Sequence, residues 1–234
     1  MTPRPRNVTS RRERPAKPAL TRDGIIAAAV AILSAEGLEK VTMRRIAQEL
    51  DTGPASLYVY VANTADLRAA VLDELLGQVS LDAAGDGDWR QRLAGVLISY
   101  TAVLMDYPTL ARSAVTARPS GQHYLQLVER LLALLDEGGV PPQQAAWGVD
   151  VLLQVATASA AEHSSSDQAP GESVAAWDAA TRALREAPAA THPHVRALAG
   201  NLLAGSPQER QSWGLRMLIN GIASTPASAE LNEL

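Results

Sequence analysis

The stretch Thr42-Met43-Arg44-Arg45-Ile46-Ala47-Gln48-Glu49-Leu50-Asp51-Thr52-Gly53-Pro54-Ala55-Ser56-Leu57-Tyr58-Val59-Tyr60 decides the fold. Thr42 is a natural N-cap, because its side-chain oxygen can accept from a backbone N–H that the first turn of a helix leaves free. Met43, Ile46, Ala47 and Leu50 then recur at i, i+3, i+4 and i+7, which puts one apolar face on a helix of about two turns. A helix that short is marginal alone, so it must pack on neighbours. Asp51-Thr52-Gly53 breaks it. Pro54 suits the first position of a new helix, where its missing N–H is no loss, and the spacing predicts a helix over 54–60. Helix, three-residue turn with glycine, short helix is the pattern of a helix-turn-helix.

Such a unit places its second helix in the DNA major groove, with the first residues reaching base edges. Ala55 suits a thymine methyl, and Ser56 can donate or accept. Tyr58 and Tyr60 offer hydroxyls to phosphate. Leu57 and Val61 are expected to face inward. Arg44 and Arg45, in the first turn of the preceding helix, are expected near the duplex backbone. An ordinary helical hairpin with a solvated face shares this spacing, so the spacing alone leaves both readings open.

Outward from this unit the chain reads as helix throughout. Hydrophobic residues make up 47% of its 234 residues, with Ala and Leu prominent and Phe absent, and β-branched runs bounded by turn residues are missing, which points to an all-α fold. Before the motif, Thr21 caps a helix over about 22–35, whose Ile26, Ala29, Val30 and Leu33 form a stripe and whose end is marked by Gly37. After it, Asn63 caps a helix over 64–79 with Leu67, Val71, Leu72, Leu75 and Leu76 on its apolar face. Further helices are expected at about 89–105, 108–116, 121–137, 141–162, 171–186, 193–203 and 207–224. The stretch 163–172 is polar and is expected to be a mobile break between helices. The expected organisation is a basic arm at 1–20, a DNA-binding unit at 21–68 and a larger unit at 69–234.

Charge is uneven. Residues 1–68 hold eleven Lys/Arg and seven Asp/Glu, a balance of +4, whereas 69–234 hold ten and eighteen, a balance of −8. One basic end on an acidic body suits a polyanion partner. The Pro- and Arg-rich arm reads as disordered, either an inert tail or a source of phosphate and minor-groove contacts. Arg11-Arg12 superficially resembles a twin-arginine export signal, but Glu13, Arg14 and Pro15 stand where such a signal needs apolar residues, so a cytoplasmic chain is expected. No run of about 18 apolar residues predicts a transmembrane helix.

The stretch from Gly24 to Leu75 resembles the DNA-binding domain of the tetracycline-repressor (TetR) family. The resemblance rests on Ile25–Ala29, Glu36-Gly37-Leu38, Val41-Thr42-Met43-Arg44-Arg45-Ile46-Ala47, Leu50, Pro54, Leu57-Tyr58 and Ala70-Val71-Leu72-Asp73. Trp89-Arg90-Gln91-Arg92-Leu93, Tyr107-Pro108 and Arg118-Pro119 are similar, more faintly, to the ligand domain of the tetracycline-repressor branch. The resemblance implies an N-terminal three-helix DNA-binding module, a fourth connecting helix, and a larger C-terminal helical domain for ligand binding and dimerisation. It implies that Thr42 caps its helix and touches phosphate, that Arg44 falls where some members contact a base, and that Pro54, Ala55, Ser56, Tyr58 and Tyr60 face DNA. Four positions depart from the family pattern. Asp51 stands where glycine is usual, Gly53 where a polar cap is usual, Val59 where a basic residue is common and Thr64 where a lysine is common. The last two losses cost phosphate contacts.

Catalytic and metal readings find no support. With no cysteine in the chain, thiolate metal sites and disulfides are excluded. His192-Pro193-His194 has a loop spacing rather than that of a metal site. Ser164-Ser165-Ser166-Asp167 beside His163 lacks the strand-turn-helix context of a nucleophile elbow, and no glycine-rich phosphate loop occurs. No cofactor and no enzyme activity are expected. The C-terminal aromatics read as core or as the lining of an effector cavity; Tyr100, Leu104, Tyr124, Trp147 and Gln154 are the candidate effector residues.

The expected function is a homodimeric repressor on a palindromic double-stranded DNA operator, released by a small-molecule effector, with the helix at 64–79 as the pivot. An activator or co-repressor-dependent regulator of the same fold remains an alternative, as does a helical ligand-binding or interaction protein with a weakened DNA-binding face. The expected dimer contact uses Val149, Leu152, Leu153 and Ala156 on one helix and Leu215, Leu218, Ile219 and Ile222 on another.

Overall fold

The computed structural model describes residues 19–82, 85–115, 119–168 and 170–227, so the arm and the Arg11-Arg12 pair lie almost wholly outside the described residues, as does Arg118. Among the described residues the chain is all-helical, with no strand. Eleven α-helices follow one another among the described residues: α1 (Arg22–Glu36), α2 (Met43–Glu49), α3 (Pro54–Leu57), α4 (Thr64–Leu76), α5 (Trp89–Met105), α6 (Pro108–Ala114), α7 (Gln122–Glu137), α8 (Pro142–Gln168), α9 (Pro170–Glu186), α10 (Pro193–Leu203) and α11 (Pro207–Ser224), with a 3₁₀ turn at Leu38–Lys40.

The starts follow capping chemistry. Thr21, Thr42 and Asn63 accept from the backbone N–H three residues on, at 3.0, 3.2 and 2.9 Å. Asp88 with Gln91, and Ser206 with Glu209, form reciprocal capping boxes, each satisfying two otherwise free donors. The Ser206 hydrogen bonds hold the Glu209 carboxyl below the usual range.

The first stripe is broader than expected. Ile25 and Ile32 join Ile26, Ala29 and Leu33 in the core, and Val30 is half-buried. One continuous apolar core runs from there through α4 into α5, α7, α8 and α11. Leu67 and Val71 of α4 are fully buried, and so nearly is Leu75, which makes α4 a packed member of that core rather than a linker.

Three expectations are corrected. The second motif helix is regular only over Pro54–Leu57, and 58–60 continue as a turn, with Tyr60 N–H donating to Leu57 C=O at 3.0 Å. Tyr-Val-Tyr is a run of aromatic and β-branched residues, poor helix formers that do not extend it. The polar stretch 163–172 is not a break: α8 continues to Gln168 and α9 begins at Pro170. No glycine or proline stands between Gly148 and Pro170, so nothing forces an earlier stop. Finally, Val149, Leu152, Leu153, Ala156, Leu215 and Ile219 are buried inside the chain, and Leu218 and Ile222 are partly buried against them. The six buried residues hold the subunit together and are not free to meet a partner, whereas Leu218 and Ile222 stay partly open.

The outer face is also apolar. Trp147, Val151 and Val155 form an i, i+4, i+8 row on α8, and Trp213 and Met217 form one on α11; all five are exposed. The first turns of α8 lie against the last turns of α11, where Gln144 donates to Ile222 C=O and Gly148 allows close packing, a Cβ there falling 2.6 Å from Ile222. A groove of about 300 Å³ runs between the rows, lined by Trp147, Val151, Met217, Leu218 and Ile222 among others.

Candidate DNA interface and effector region

The helix-turn-helix is built around one backbone device. Leu50 ends α2, Asp51 takes a positive φ of 46°, and Thr52 N–H donates to Ala47 C=O at 2.8 Å while Asp51 N–H donates to Gln48 C=O at 3.1 Å. These two bonds are a Schellman ending, whose left-handed position usually carries glycine. Asp51 is the sole described non-glycine residue with positive φ, at a cost of about 1–2 kcal/mol for an ordinary side chain. The turn then presents Gly53, which caps α3 without a side-chain bond.

Leu57 alone of α3 is buried, at 0% exposure, and Val61 beyond it is likewise fully buried. Pro54, Ala55, Ser56, Tyr58 and Tyr60 are all exposed, and so is Val59. The sequence-predicted contact residues are therefore all open to solvent, with Leu57 and Val61 buried among them. Thr42 is exposed at the start of α2; its Oγ1 accepts from Arg45 N–H, which leaves its O–H free to donate.

The two arginines differ. Arg44 is exposed with no ion-pair partner among the described residues. Arg45 is committed: its guanidinium donates to Glu36 Oε1 at 2.6 Å and to Glu49 Oε2 at 2.8 Å. These bonds raise the Arg45 pKa further and hold the Glu36 carboxyl below its usual range. Arg45 thus ties α1 to α2 between two carboxylates, a role that its position nine residues after Glu36 did not disclose. Across 19–68, five basic residues face six acidic ones, so the positive balance of the N-terminal part resides in residues 1–18.

The candidate effector residues divide. Tyr100 and Leu104 of α5 are buried, and Tyr124 of α7 is half-buried against the same core. Tyr100 Oη lies 2.7 Å from Thr157 Oγ1 of α8, a buried hydroxyl pair. Thr157 was missed, although it continues the inner stripe of Val149 and Leu153 at i+8 and i+4. Trp147 and Gln154 are not brought to this cluster. Both are exposed on the outer side of α8, and Gln154 donates to Asp150. Trp177 and Trp213 are exposed as well, whereas Trp89 is buried. Among the described residues there is no cluster of metal-ligating side chains and no helix long and apolar enough to cross a membrane. His192 and His194 are exposed; His192 Nδ1 meets Thr191 Oγ1 at 2.8 Å.

Burial pushes the Tyr100 phenol up, against the Thr157 hydrogen bond. A raised folded pKa means the native state keeps a proton that the unfolded chain releases above about pH 10. Stability is therefore full below that value and falls as pH rises through the folded pKa. Tyr100→Phe should flatten this alkaline loss in urea titrations between pH 9 and 11. At neutral pH it should cost about 1–3 kcal/mol, because Thr157 loses its partner.

The family model described as "Bacterial regulatory proteins, tetR family" matches residues 25–71. The one described as "Tetracyclin repressor-like, C-terminal domain" matches 81–225. The chain belongs to the TetR family of transcriptional regulators. An HTH-type transcriptional regulator of Saccharopolyspora erythraea is 32% identical over 216 residues, covering 89% of this chain and 87% of the relative. The solved structure of the regulator SCO7704 of Streptomyces coelicolor is 57% identical, with a TM-score of 0.75 over 91% of this chain and 98% of that one. ActR of the same organism, a TetR-family protein solved with actinorhodin, is 35% identical, with a TM-score of 0.74 over 87% and 97% of the two chains. The family is one of regulators rather than enzymes, and its members bind DNA and small molecules. The TetR-type division agrees with the helix-turn-helix seated at the N-terminal end and the larger helical body behind it.

Proposed function

We propose that this TetR-family chain is a homodimeric repressor in the cytoplasm, seated on a palindromic operator and released when a small molecule binds among α5, α7 and α8. The observation that carries the reading is the exposed row Pro54, Ala55, Ser56, Tyr58 and Tyr60 on the buried Leu57, in one core with the Tyr100–Tyr124–Thr157 cluster. Thr42 and Arg44 flank that row for phosphate. Arg45 acts from behind, holding the first two helices together. The exposed rows on α8 and α11 support a two-fold partner, which a palindromic operator requires. The effector cluster is apolar with phenol and hydroxyl groups, which suits an uncharged or weakly charged, partly aromatic molecule. That Trp147 and Gln154 lie outward supports moving them from the effector set to the partner face.

Selection from a random DNA pool, followed by titration at several salt concentrations, tests this. Tyr58→Ala should weaken the selected operator by about ten-fold or more, in line with roughly 1–3 kcal/mol for a specific contact. Arg44→Ala should lower the salt slope by about 1, and removal of residues 1–18 by several, whereas Arg45→Ala should leave the slope in place and destabilise the N-terminal helices. Tetracycline and actinorhodin are the first probes for release. Unchanged affinity of the Tyr58 variant would refute the contact row.

A second reading is a helical ligand-binding protein whose DNA face is weakened. The acid excess over 19–68 and the loss of cations at Val59 and Thr64 favour it. A pool that enriches no sequence would select this reading.

A further inference from the structure

α7 begins without a cap of its own. Its N-cap is Gly121, which has no side chain to accept from the first turn. Asp73 of α4, some fifty residues away, supplies the acceptor instead. Its Oδ1 takes the Tyr124 N–H at 2.9 Å and its Oδ2 the His123 N–H at 3.4 Å. The fit requires glycine, since a Cβ on Gly121 would overlap the Asp73 carboxylate. On the other side of the joint, the His123 ring sits over Gly77, where a Cβ would fall 2.9 Å from Nε2. His123 Nδ1 is buried without a hydrogen-bond partner, 3.5 Å from Asp73 Oδ2. α7 grips the chain a second time just beyond α4, where Arg130 donates to Leu81 C=O at 2.9 Å and to Asp82 at 2.7 Å.

One residue joins this joint to the effector cluster. The backbone of Tyr124 donates to Asp73, and its half-buried side chain packs against the core that includes Tyr100. A displacement of the first turn of α7 therefore reaches α4 through Tyr124 and His123, both held by Asp73. The far end of α4 is tied to α1 by Asp66 and Arg22 at 3.3 Å. We propose that Asp73 is the positioning residue that couples the Tyr100–Tyr124 cluster to the DNA-binding helices, by capping α7 from α4. The proposal rests on the repressor reading above, and its test separates the two.

The chain has no cysteine, so nitroxides can be placed cleanly at two exposed sites, Gln48→Cys on α2 and Glu129→Cys on α7, with the labelled chain diluted into unlabelled chain. The distance distribution between them should be narrow in the otherwise unaltered protein. Asp73→Ala and Gly121→Ala should broaden and shift it with helical content retained. Operator affinity should change by at least about five-fold, the lower end of typical coupling. Asp73→Asn keeps an acceptor for Tyr124 N–H and should give a smaller change; it decides the matter if the alanine variants fold poorly. Glu74→Ala, exposed on the same helix, should do nothing. The proposal is overturned if Asp73→Ala leaves the distribution unchanged, or moves it while affinity stays within two-fold. If the unaltered chain enriches no DNA, the repressor reading fails by itself. The joint then stands or falls on the distance distributions.

Discussion

Val151→Glu should sediment as a monomer and lose operator binding by about a hundred-fold or more. Val151 sits mid-row between Trp147 and Val155 on the outer face of α8, across the groove from Met217. Exposed apolar rows of this kind, on two adjacent helices, are what an interaction surface presents, and the proposed dimer would cover them. A carboxylate in the centre of such a contact would be buried without a partner, which costs several kcal/mol on each side of a two-fold interface. Losing the second half-site then removes a factor of about 10²–10⁴ that joined binding provides. Because Val151 is outside the subunit core, the monomer should keep its helical content. Intact dimers at micromolar concentration in sedimentation would move the partner face elsewhere.

Leu57→Ala should detach the recognition segment while leaving the body folded. α3 is four residues long and has no side-chain cap. Leu57 is its single buried residue. Truncating a fully buried leucine costs about 2–5 kcal/mol, a large share of the roughly 5–15 kcal/mol that holds a domain together. The loss should fall locally, since the motif can open apart from the α5–α8 core. Amide exchange at Ser56 and Tyr60, whose N–H groups bond Gly53 and Leu57, should accelerate strongly. Exchange in α5 and α8 should not change. Specific operator binding at wild-type strength would show that Leu57 does not hold the contact row.

The elements that local chemistry dictates were legible. Thr42, Pro54 and Asn63 fix helix starts by capping, the 3.6-residue period of Met43, Ile46 and Ala47 fixes a buried face, and Asp51 sits where the turn needs a left-handed residue. The misread parts depend on contacts distant in sequence. α8 is apolar on both sides, so its periodicity could not say that Val149, Leu152 and Leu153 turn inward while Trp147 and Val151 turn outward. For the same reason periodicity does not separate Trp147 and Gln154 from Tyr100. The sequence places Arg45 beside the duplex backbone, but Glu36 and Glu49 hold its guanidinium. Nothing local to Asp73 announces that it caps a helix starting at Gln122. Thr157 was within reach, as a threonine in phase with the inner stripe.

The placement of the four tryptophans gives the protein a built-in optical report. Trp89 is buried, Trp147 and Trp213 stand on the two outer rows, and Trp177 is exposed on α9. None lies within residues 1–68, whose aromatic residues are Tyr58 and Tyr60. Indole emission shifts to shorter wavelength when water is excluded. The intrinsic fluorescence above 300 nm should therefore respond to anything that covers the outer rows and be nearly silent to what the N-terminal helices touch. Selective excitation at 295 nm would follow dissociation of the proposed dimer without a dye, and DNA occupancy would have to be read from the nucleic acid.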